Sequence, residues 1–321
     1  MNEIPQIVVT GVGPALPGVA GVQDLVTGPS VPAEPVDPAA LLGKKGLKYK
    51  DRATRLGLCA ASLGLQDAGL RNAEGPLVPP RGVGCVVASN YGNADTICRV
   101  VTTIAEETTR GTSPMDSPNA SSNIIASEVA IRFGLQGPNM TVCNGDSSGL
   151  DALHWAASLL RSARADQVLV IGVEPDNEMV RRLVRTDRLV DGAVALVLES
   201  ATTAEERGVK ARAVWGGYAR TGGVERTAHR LDRFGAGSPA AWYAPEEPGD
   251  GTPRAEHPRS GLVRHDMSAV RGTLSAALGT AQCAAAVARF DAGESGPVHL
   301  MAGRVDDGVA GALLLAPGDA S

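Results

Sequence analysis

The chain has 321 residues, of which 43% are apolar and only 3% aromatic, and its formal net charge is −5. This length allows a large buried core, and the shortage of aromatic residues predicts closely packed Ala, Val and Leu, as where helices lie on sheets. The charge excludes an overall basic field, so we expect no nucleic-acid partner. The five cysteines form no CxxC pair, which argues against a zinc site or a disulfide framework and fits a reducing cytoplasm.

No segment predicts a leader or a membrane span. The N-terminus, MNEIPQIVVTGVG, lacks a basic region followed by a long apolar stretch. No run approaches the roughly 18 apolar residues that a spanning helix needs. We therefore expect a cytoplasmic protein without a membrane partner, and we expect no cofactor and no metal.

The first part of the chain predicts strands that alternate with helices. The predicted strands are QIVVTGVG, GVGCVVAS, NMTVCNGD, QVLVIGVEP and DGAVALVLES. The predicted helices are DRATRLGLCAASLGLQDAGL, NADTICRVVTTIAEETTRG, ASSNIIASEVAIRFG and SSGLDALHWAASLLRSARA. Asp51 is the predicted N-cap of the first helix and Gly69 its stop, and Gly134 ends the third.

The last third predicts fewer elements. VKARAVWGGYART, GPVHLMAG and DGVAGALLLAP are predicted strands, and MSAVRGTLSAALGTAQCAAAVARFDAG is predicted as one helical stretch. Residues 235–261 are rich in Pro and Gly and predict a long loop. The segment VDGAVALVLE, Val190 to Glu199, resembles VDDGVAGALLLA, Val305 to Ala316, and each follows an Ala-rich helix and a strand. This echo predicts two related α/β halves.

A tight turn between a strand and a helix is the first candidate site. Residues Gly145 to Gly149 match G-x-S-x-G, the pattern of a hydrolase nucleophile, with Ser147 as the attacking residue. Such a serine needs a histidine and an acid downstream. His299 lies inside a predicted strand, however, and His229, His257 and His265 lie in or near weakly patterned segments.

Longer stretches resemble β-ketoacyl synthases of the thiolase superfamily in order and spacing. They are VVTGVGPALPG, DRATRLGLCAASLGLQDAGL, SPNASSNIIASEVAIRFGLQGPNMTV and SSGLDALHWAASLLRSARADQVLVIGVE, with a later return at RGTLSAALGTAQCAAAVARF and DDGVAGALLLA. The resemblance implies a thiolase-like α/β fold, in which two duplicated halves form a layered α-β-α-β-α core. The halves would be residues 1–200 and a shortened 201–321.

The resemblance also implies that the catalytic positions have degenerated. The family's cysteine nucleophile corresponds to Asp146, its lysine to Met267 and a histidine to Gly272. A second family histidine has no counterpart between Val224 and Leu262, and RVDDG replaces the closing Gly-Phe-Gly loop. A carboxylate attacking a thioester would give a hydrolysable mixed anhydride, so we expect no catalytic residue.

Two neighbouring residues of the turn carry further expectations. Because an unpaired buried charge is costly, Asp146 should accept backbone N–H bonds or contact water. Cys143 lies three residues before Asp146, on the predicted strand, and is expected to be a small packed residue rather than a displaced nucleophile.

Such a degenerate chain resembles the chain-length factor of type II polyketide synthases, the inactive homologue that pairs with an active ketosynthase. That subunit usually has glutamine where this chain has Asp146. The resemblance implies a heterodimer with an active ketosynthase, and contact with an acyl carrier protein mainly through that partner. The predicted interface strand is Asn139, Met140, Thr141, Val142 and Cys143.

The resemblance further assigns a wall of the acyl tunnel to Ala94, Ile97 and Val101, which share one helical face. Their small size favours a longer or slimmer channel, such as a reduced polyene chain would need. Spacing alone also fits an ordinary core stripe. Two alternatives stay open: a stand-alone malonyl-carrier decarboxylase or acyltransferase that uses Asp146 or Ser147, and a subunit that only stabilises or regulates its partner.

Overall fold

The protein is described by a computed structural model over residues 4–27, 34–186, 188–247, 254–304 and 308–319. The strands are β1 Ile7–Ala15, β2 Arg71–Asn72, β3 Gly75–Pro76, β4 Val83–Ala88, β5 Asn139–Val142, β6 Gln167–Glu174, β7 Gly192–Ser200, β8 Ala213–Thr221, β9 Ala241–Tyr243, β10 Val263–His265, β11 Val298–Ala302 and β12 Val309–Leu315.

The helices lie between these strands along the chain. They are α1 Asp24–Thr27, α2 Pro38–Leu42, α3 Arg52–Asp67, α4 Ala94–Glu107, α5 Asp116–Asn119, α6 Ile124–Phe133, α7 Ser148–Arg161, α8 Glu178–Val184, α9 Ala201–Glu206, α10 Val224–Asp232, α11 Met267–Arg271 and α12 Leu278–Asp291. Short 3-10 turns lie at Pro80–Gly82, Thr108–Gly111, Ser275–Ala277 and Pro317–Asp319. As the sequence predicted, Asp51 caps α3 by accepting from the Thr54 N–H, and Gly134 ends α6 in the left-handed conformation.

One ten-stranded sheet contains the same topology twice. The strand order is β10-β9-β11-β12-β8-β1-β7-β6-β4-β5. Read from its outer edge inward, the first half has the order β5-β4-β6-β7-β1, and the second half has the equivalent order β10-β9-β11-β12-β8. In each half the first two pairings are parallel and the last two antiparallel. The predicted duplicated α/β fold is confirmed, and β1 and β8 join the halves.

Three apolar clusters give the fold its layers. The middle cluster contains α7 and α12, one outer cluster contains α3 and α6, and the other contains α10. Strand residues alternate between them, since Val168 and Val170 of β6 face the middle layer while Leu169 and Ile171 face α3 and α6. This is the layered arrangement that the resemblance implied.

Close contact of α7 with α12 depends on glycine. A Cβ on Gly149 would lie 2.7 Å from the Ala276 carbonyl oxygen, and one on Gly279 would lie 2.4 Å from the Leu150 nitrogen. No side chain fits at either position. The last glycine of the G-x-S-x-G pattern is therefore explained by helix packing.

The second half differs from its prediction in two places. Within the predicted 235–261 loop, Ala241–Tyr243 form β9, a buried central strand between β10 and β11, because three apolar residues fill its site. Residues 248–253 of that loop lie outside the described residues. The predicted late helix is broken after Arg271, where Gly272 adopts φ +81°.

The second half is also the shorter one. The first half places α4, α5 and α6 between β4 and β5, whereas the described residues between β9 and β10, 244–247 and 254–262, contain no helix. In the described part of the chain, no helix has the length and apolarity of a membrane span.

Candidate functional site

The turn between β5 and α7 lies at the edge of the middle layer. Gly145 adopts φ +71°, the left-handed region that glycine enters without steric cost. The Asn144 N–H donates to Ser148 Oγ at 2.7 Å, and Asn90 Nδ2 donates to the Gly145 carbonyl oxygen at 2.9 Å. These bonds fix the turn, so Asp146 occupies one defined position just before the first residue of the helix.

Asp146 forms an ion pair across the two halves of the protein. Arg304 Nε donates to Asp146 Oδ2 at 2.8 Å, and the side chains of Arg304 and Asp146 are 52% and 16% exposed. Arg304 follows β11 by two residues, in the segment RVDDG that replaces the family's closing loop. The described partner of this carboxylate is a guanidinium rather than a backbone N–H, and its partial exposure agrees with the other expectation, contact with water.

Ser147 is placed for structure rather than for attack. Its side chain is 1% exposed, and its Oγ donates to Asp151 Oδ2 at 2.9 Å. Within the described residues, no histidine forms a hydrogen bond with Ser147. His299, which a triad would require nearby, instead has its Nδ1 3.1 Å from His257 Nε2. The interpretation of Ser147 as a hydrolase nucleophile therefore lacks the histidine that would act as its base.

Asp151 is the centre of a buried polar cluster that the sequence did not reveal. This aspartate is 4% exposed and accepts hydrogen bonds from four side chains. Ser147 Oγ, Asn144 Nδ2 and Arg220 Nη1 donate to Oδ2 at 2.9, 3.1 and 2.9 Å, and Tyr218 OH donates to Oδ1. Because Tyr218 and Arg220 belong to β8, the cluster joins the start of α7 to the second half.

Two more carboxylates hold the turn before α12. Glu174, at the end of β6, is 1% exposed and accepts from the N–H groups of Asn90, Tyr91 and Ala276 at 2.8, 3.1 and 3.3 Å. Burial raises its pKa to about 7, although these donors act in the opposite direction.

Glu246 performs the same task from the other side of this turn. It accepts from the N–H groups of Leu274 and Ser275, the latter at 3.2 Å. Burial raises the pKa of Glu246 to about 8, and the nearby Asp146 charge adds to this while Arg304 opposes it. Both carboxylates are thus bound to backbone, as structural anchors are.

Met267 and Gly272, which the resemblance aligns with the family's lysine and a histidine, have structural surroundings of their own. Met267 is 6% exposed and begins α11, so its side chain is part of the core. Gly272 adopts φ +81°, and a Cβ there would lie 2.5 Å from the Arg188 carbonyl oxygen. A histidine would clash at this backbone.

The predicted interface residues form an open edge. β5 is the last strand of the sheet, and it pairs with β4 on one side. The carbonyl groups of Pro138 and Val142 accept from the N–H groups of Cys85 in β4 and of Ser89 just after it, at 2.8 and 3.2 Å. Because backbone direction alternates along a strand, the N–H and C=O groups of Asn139, Thr141 and Cys143 face the open side.

Cys143 differs from its prediction. It was expected to be a small packed residue, but it is exposed and follows the last residue of β5. The strand ends at Val142 because the chain turns at Asn144 and Gly145 toward α7. Partial burial raises the pKa of the Cys143 thiol, as does the charge of Glu174, so the thiol is not activated.

The predicted tunnel residues lie on α4, a helix with one buried residue, Thr96. Ile97 and Val101 are 40% and 60% exposed, Ile104 on the same side is 42% exposed, and Ala94 is partly buried. The stripe is therefore not part of this chain's core. The stripe forms an exposed apolar surface on α4.

The comparisons with known proteins agree with the duplicated sheet. Residues 36–186 match the family model of the β-ketoacyl synthase N-terminal domain. Over these residues the chain is similar to β-ketoacyl synthases. This ketosynthase homologue is 29% identical over 210 residues to polyketide β-ketoacyl synthase 2 of Streptomyces cyaneus, covering 58% of this chain and 50% of the relative.

Other relatives and solved structures agree. The 3-oxoacyl-acyl-carrier-protein synthase 2 of Vibrio harveyi is 25% identical over 206 residues, covering 56% of this chain and 49% of the relative. The ketosynthase homologue thus spans about half the length of the curated relatives it matches. The ishigamide ketosynthase/chain length factor superposes with a TM-score of 0.74 at 24% identity, covering 97% of this chain and 99% of that one.

A second solved structure is a type II polyketide synthase acyl-carrier protein in complex with its ketosynthase bound to the hexaketide. It matches with a TM-score of 0.79 at 14% identity, covering 98% of this chain and 100% of that one. At these identities the superpositions show the fold, which is that of thiolase-like ketosynthases. Among the described residues of this homologue, no group of three or more His, Cys, Asp or Glu could hold a metal ion.

Proposed function

We propose that this ketosynthase homologue is a non-catalytic subunit of the chain-length-factor type. It would pair with an active ketosynthase and shape the acyl tunnel at their interface during type II polyketide biosynthesis, on a long or slim chain such as a polyene. The partner supplies the cysteine and both histidines, and it carries most of the contact with the acyl carrier protein.

The Asp146–Arg304 ion pair is the observation that carries this proposal. It occupies the place of the nucleophile, and a guanidinium 2.8 Å away holds the carboxylate in an ion pair. At Gly272, the backbone excludes the histidine that would stabilise the enolate of malonyl decarboxylation. A thioester condensation therefore lacks its nucleophile and one of its acid–base groups on this chain.

The open edge of β5 supports pairing with a second subunit. Three consecutive outward positions, Asn139, Thr141 and Cys143, present main-chain groups without a strand beside them. Thr141 also has a buried Oγ1 without a hydrogen-bond partner in the described structure. An unprotected edge favours pairing with another strand, and a homologous subunit offers one of matching length.

The apolar side of α4 supports a role in the tunnel. Ile97, Val101 and Ile104 cover one face over two turns. Because they are aliphatic and expose apolar area, they suit an acyl chain or the wall of a partner's tunnel. The buried, hydrogen-bonded Ser147 argues against the alternative of an independent decarboxylase or acyltransferase.

The experiment is co-purification of the tagged chain with the ketosynthase encoded nearest to it. The test variant is Thr141→Pro, which removes an outward N–H and places a ring in the path of the partner strand. Because that N–H does not bond β4, the isolated chain should fold normally. The matched control is Thr141→Val, which keeps the N–H and the side-chain shape.

We expect the wild type and Thr141→Val to retain the ketosynthase and Thr141→Pro to lose it, with equal thermal unfolding of all three chains. Retention of the ketosynthase by a folded Thr141→Pro chain would contradict pairing through β5. Failure of the wild-type chain to bind the ketosynthase would contradict the proposed function itself.

A further inference from the structure

The outer face of α10 carries a row of three arginines. Arg226, Arg230 and Arg233 are all exposed and follow at i, i+4 and i+7, which places them within one narrow stripe. None of the three forms an ion pair with an acid in the described structure. The acid that lies nearest in sequence on the helix's inner side, Asp232, is instead bonded to Arg259 at 2.9 Å.

This stripe does not serve the helix that carries it. Arg226 and Arg230 are like charges at i, i+4, a spacing that destabilises a helix. Arg226 also lies in the first turn, where the positive end of the helix dipole disfavours a cation. Arg230, in the last turn, and Arg233, which follows the last helical residue, are favoured by the dipole. The first-turn position of Arg226 and its repulsion by Arg230 thus oppose local stability.

A groove of about 430 Å³ runs beside the stripe, between α10 and β8. We call it the α10 groove; it is lined by Tyr218, Ala219, Arg220, Thr221, Arg230, Arg233 and Phe234. Phe234 is 48% exposed although the whole chain has three phenylalanines. The groove therefore combines exposed guanidinium groups with a rare exposed aromatic ring.

Both aromatic rings of the groove are held in place. The Phe234 ring lies over Gly217 of β8, where a Cβ would come within 2.6 Å of Phe234 Cδ2. The absence of a side chain at Gly217 therefore makes room for the ring. The Tyr218 ring stacks on His154 at 4.2 Å, and its hydroxyl donates to Asp151. Rigid aromatic groups beside arginines are typical of the residues that dominate binding at protein interfaces.

From these observations we propose that an acidic segment of a partner protein docks along the arginine stripe and into the α10 groove. The stripe extends about 10 Å along the helix, so it matches three carboxylates at i, i+4 and i+7 of a helical segment. An apolar side chain of that segment would cover Phe234. Ala219 and the exposed Phe234 place apolar area beside the guanidinium groups, which suits an amphipathic segment of a protein. None of these residues lies on β5 or α4, so the site stands independently of the subunit pairing.

The probe is a fluorescein-labelled amphipathic peptide about 16 residues long, with glutamates at i, i+4 and i+7 and leucines on one side. Its binding to the full chain is followed by fluorescence anisotropy. The test variant is Arg226→Glu/Arg230→Glu/Arg233→Glu. The matched control is Arg81→Glu/Arg110→Glu/Arg164→Glu, three exposed arginines elsewhere that give the same net charge. Thermal unfolding verifies that every variant is folded.

We expect the peptide to bind the wild type and the control alike, more weakly at high salt, and at least about tenfold more weakly to the stripe variant. Phe234→Ala should weaken binding without changing its salt dependence. A single-stranded oligonucleotide of similar charge should bind less well than the peptide. Equal peptide binding to stripe and control variants, no binding to the wild type, or tighter binding of the oligonucleotide would each overturn the proposal.

Discussion

Replacing Asp151 by alanine should be among the most damaging single changes outside the apolar core. The carboxylate is 4% exposed and accepts from Ser147, Asn144, Arg220 and Tyr218. Asp151→Ala leaves a guanidinium and three further donors without their acceptor. Asn144 and Ser147 lie in the turn before α7, whereas Tyr218 and Arg220 belong to β8. The loss of their shared acceptor therefore loosens the contact between the two halves.

The expected cost follows from the partners that are left unpaired. Breaking a buried ion pair costs roughly 3–5 kcal/mol. Arg220, however, is 34% exposed and can turn toward water, so the cost of breaking its ion pair lies at or below the lower end of that range, about 3 kcal/mol. Each neutral hydrogen bond adds roughly 1 kcal/mol. Allowing for relaxation, we expect Asp151→Ala to lower the free energy of unfolding by about 3 kcal/mol, and Asp151→Asn by about half of that, because the amide keeps one acceptor oxygen.

Urea unfolding followed by circular dichroism measures these differences. Glu106→Ala is the matched control, since Glu106 is an exposed acid on α4 and its removal should change the free energy by less than about 0.5 kcal/mol. If Asp151→Ala unfolded within about 1 kcal/mol of the wild type, the cluster would not hold the halves together as inferred.

Three further predictions concern the lost active site and the tunnel. Gly272→His should lower the free energy of unfolding by at least about 2 kcal/mol, because φ is +81° and the Cβ meets the Arg188 carbonyl at 2.5 Å; urea unfolding within 0.5 kcal/mol of the wild type would contradict this clash. For Glu174, burial raises the pKa in the folded protein to about 7, above the ordinary glutamate value of 4.5. The native state therefore keeps its proton to higher pH than the unfolded chain does, and the free energy of unfolding falls as pH rises through that interval. Between pH 5 and 8 this loss should be on the order of 2 kcal/mol in the wild type and absent from Glu174→Gln, and an identical pH dependence of the two unfolding free energies would refute it. In the co-expressed pair, Ile97→Phe and Val101→Phe should shorten the product, as read by mass spectrometry, whereas Ile131→Phe on α6, 76% exposed, should not; unchanged product length would remove α4 from the tunnel.

The sequence was sufficient where local patterns carry the structure. The strand and helix order of the first half, the Asp51 cap and the Gly134 stop follow from periodicity and capping chemistry, which act within a few residues. The duplication was visible because two segments repeat both their residues and their context. The open edge of β5 followed from the family resemblance and from the order of elements.

Structure was needed where the deciding contacts are distant along the chain. Ala241–Tyr243 has only three residues, too few to show the alternation of apolar and polar residues that predicts a strand. β9 is therefore stabilised by its neighbours in the sheet rather than by its own sequence pattern. The break at Gly272 depends on a carbonyl of Arg188, and the sequence gives no sign of that approach.

Charge pairs were the hardest features to predict. Asp146 and Arg304 lie 158 positions apart, and each had been recognised separately as a departure from the family pattern. The signal that could have predicted this ion pair is that one departure from the family pattern is an acid and the other is a base. The Asp151 cluster had no such signal, because Tyr218 and Arg220 resemble ordinary residues of an amphipathic strand.

The central claim is that this chain cannot carry an acyl group by itself. Intact-protein mass spectrometry after incubation with malonyl- and acyl-carrier protein tests it most directly, first with the chain alone and then with its ketosynthase partner present. The proposal predicts an unmodified mass for this chain in both cases and an acyl adduct on the partner. An adduct on the isolated chain that disappears in Asp146→Ala or Ser147→Ala would contradict it.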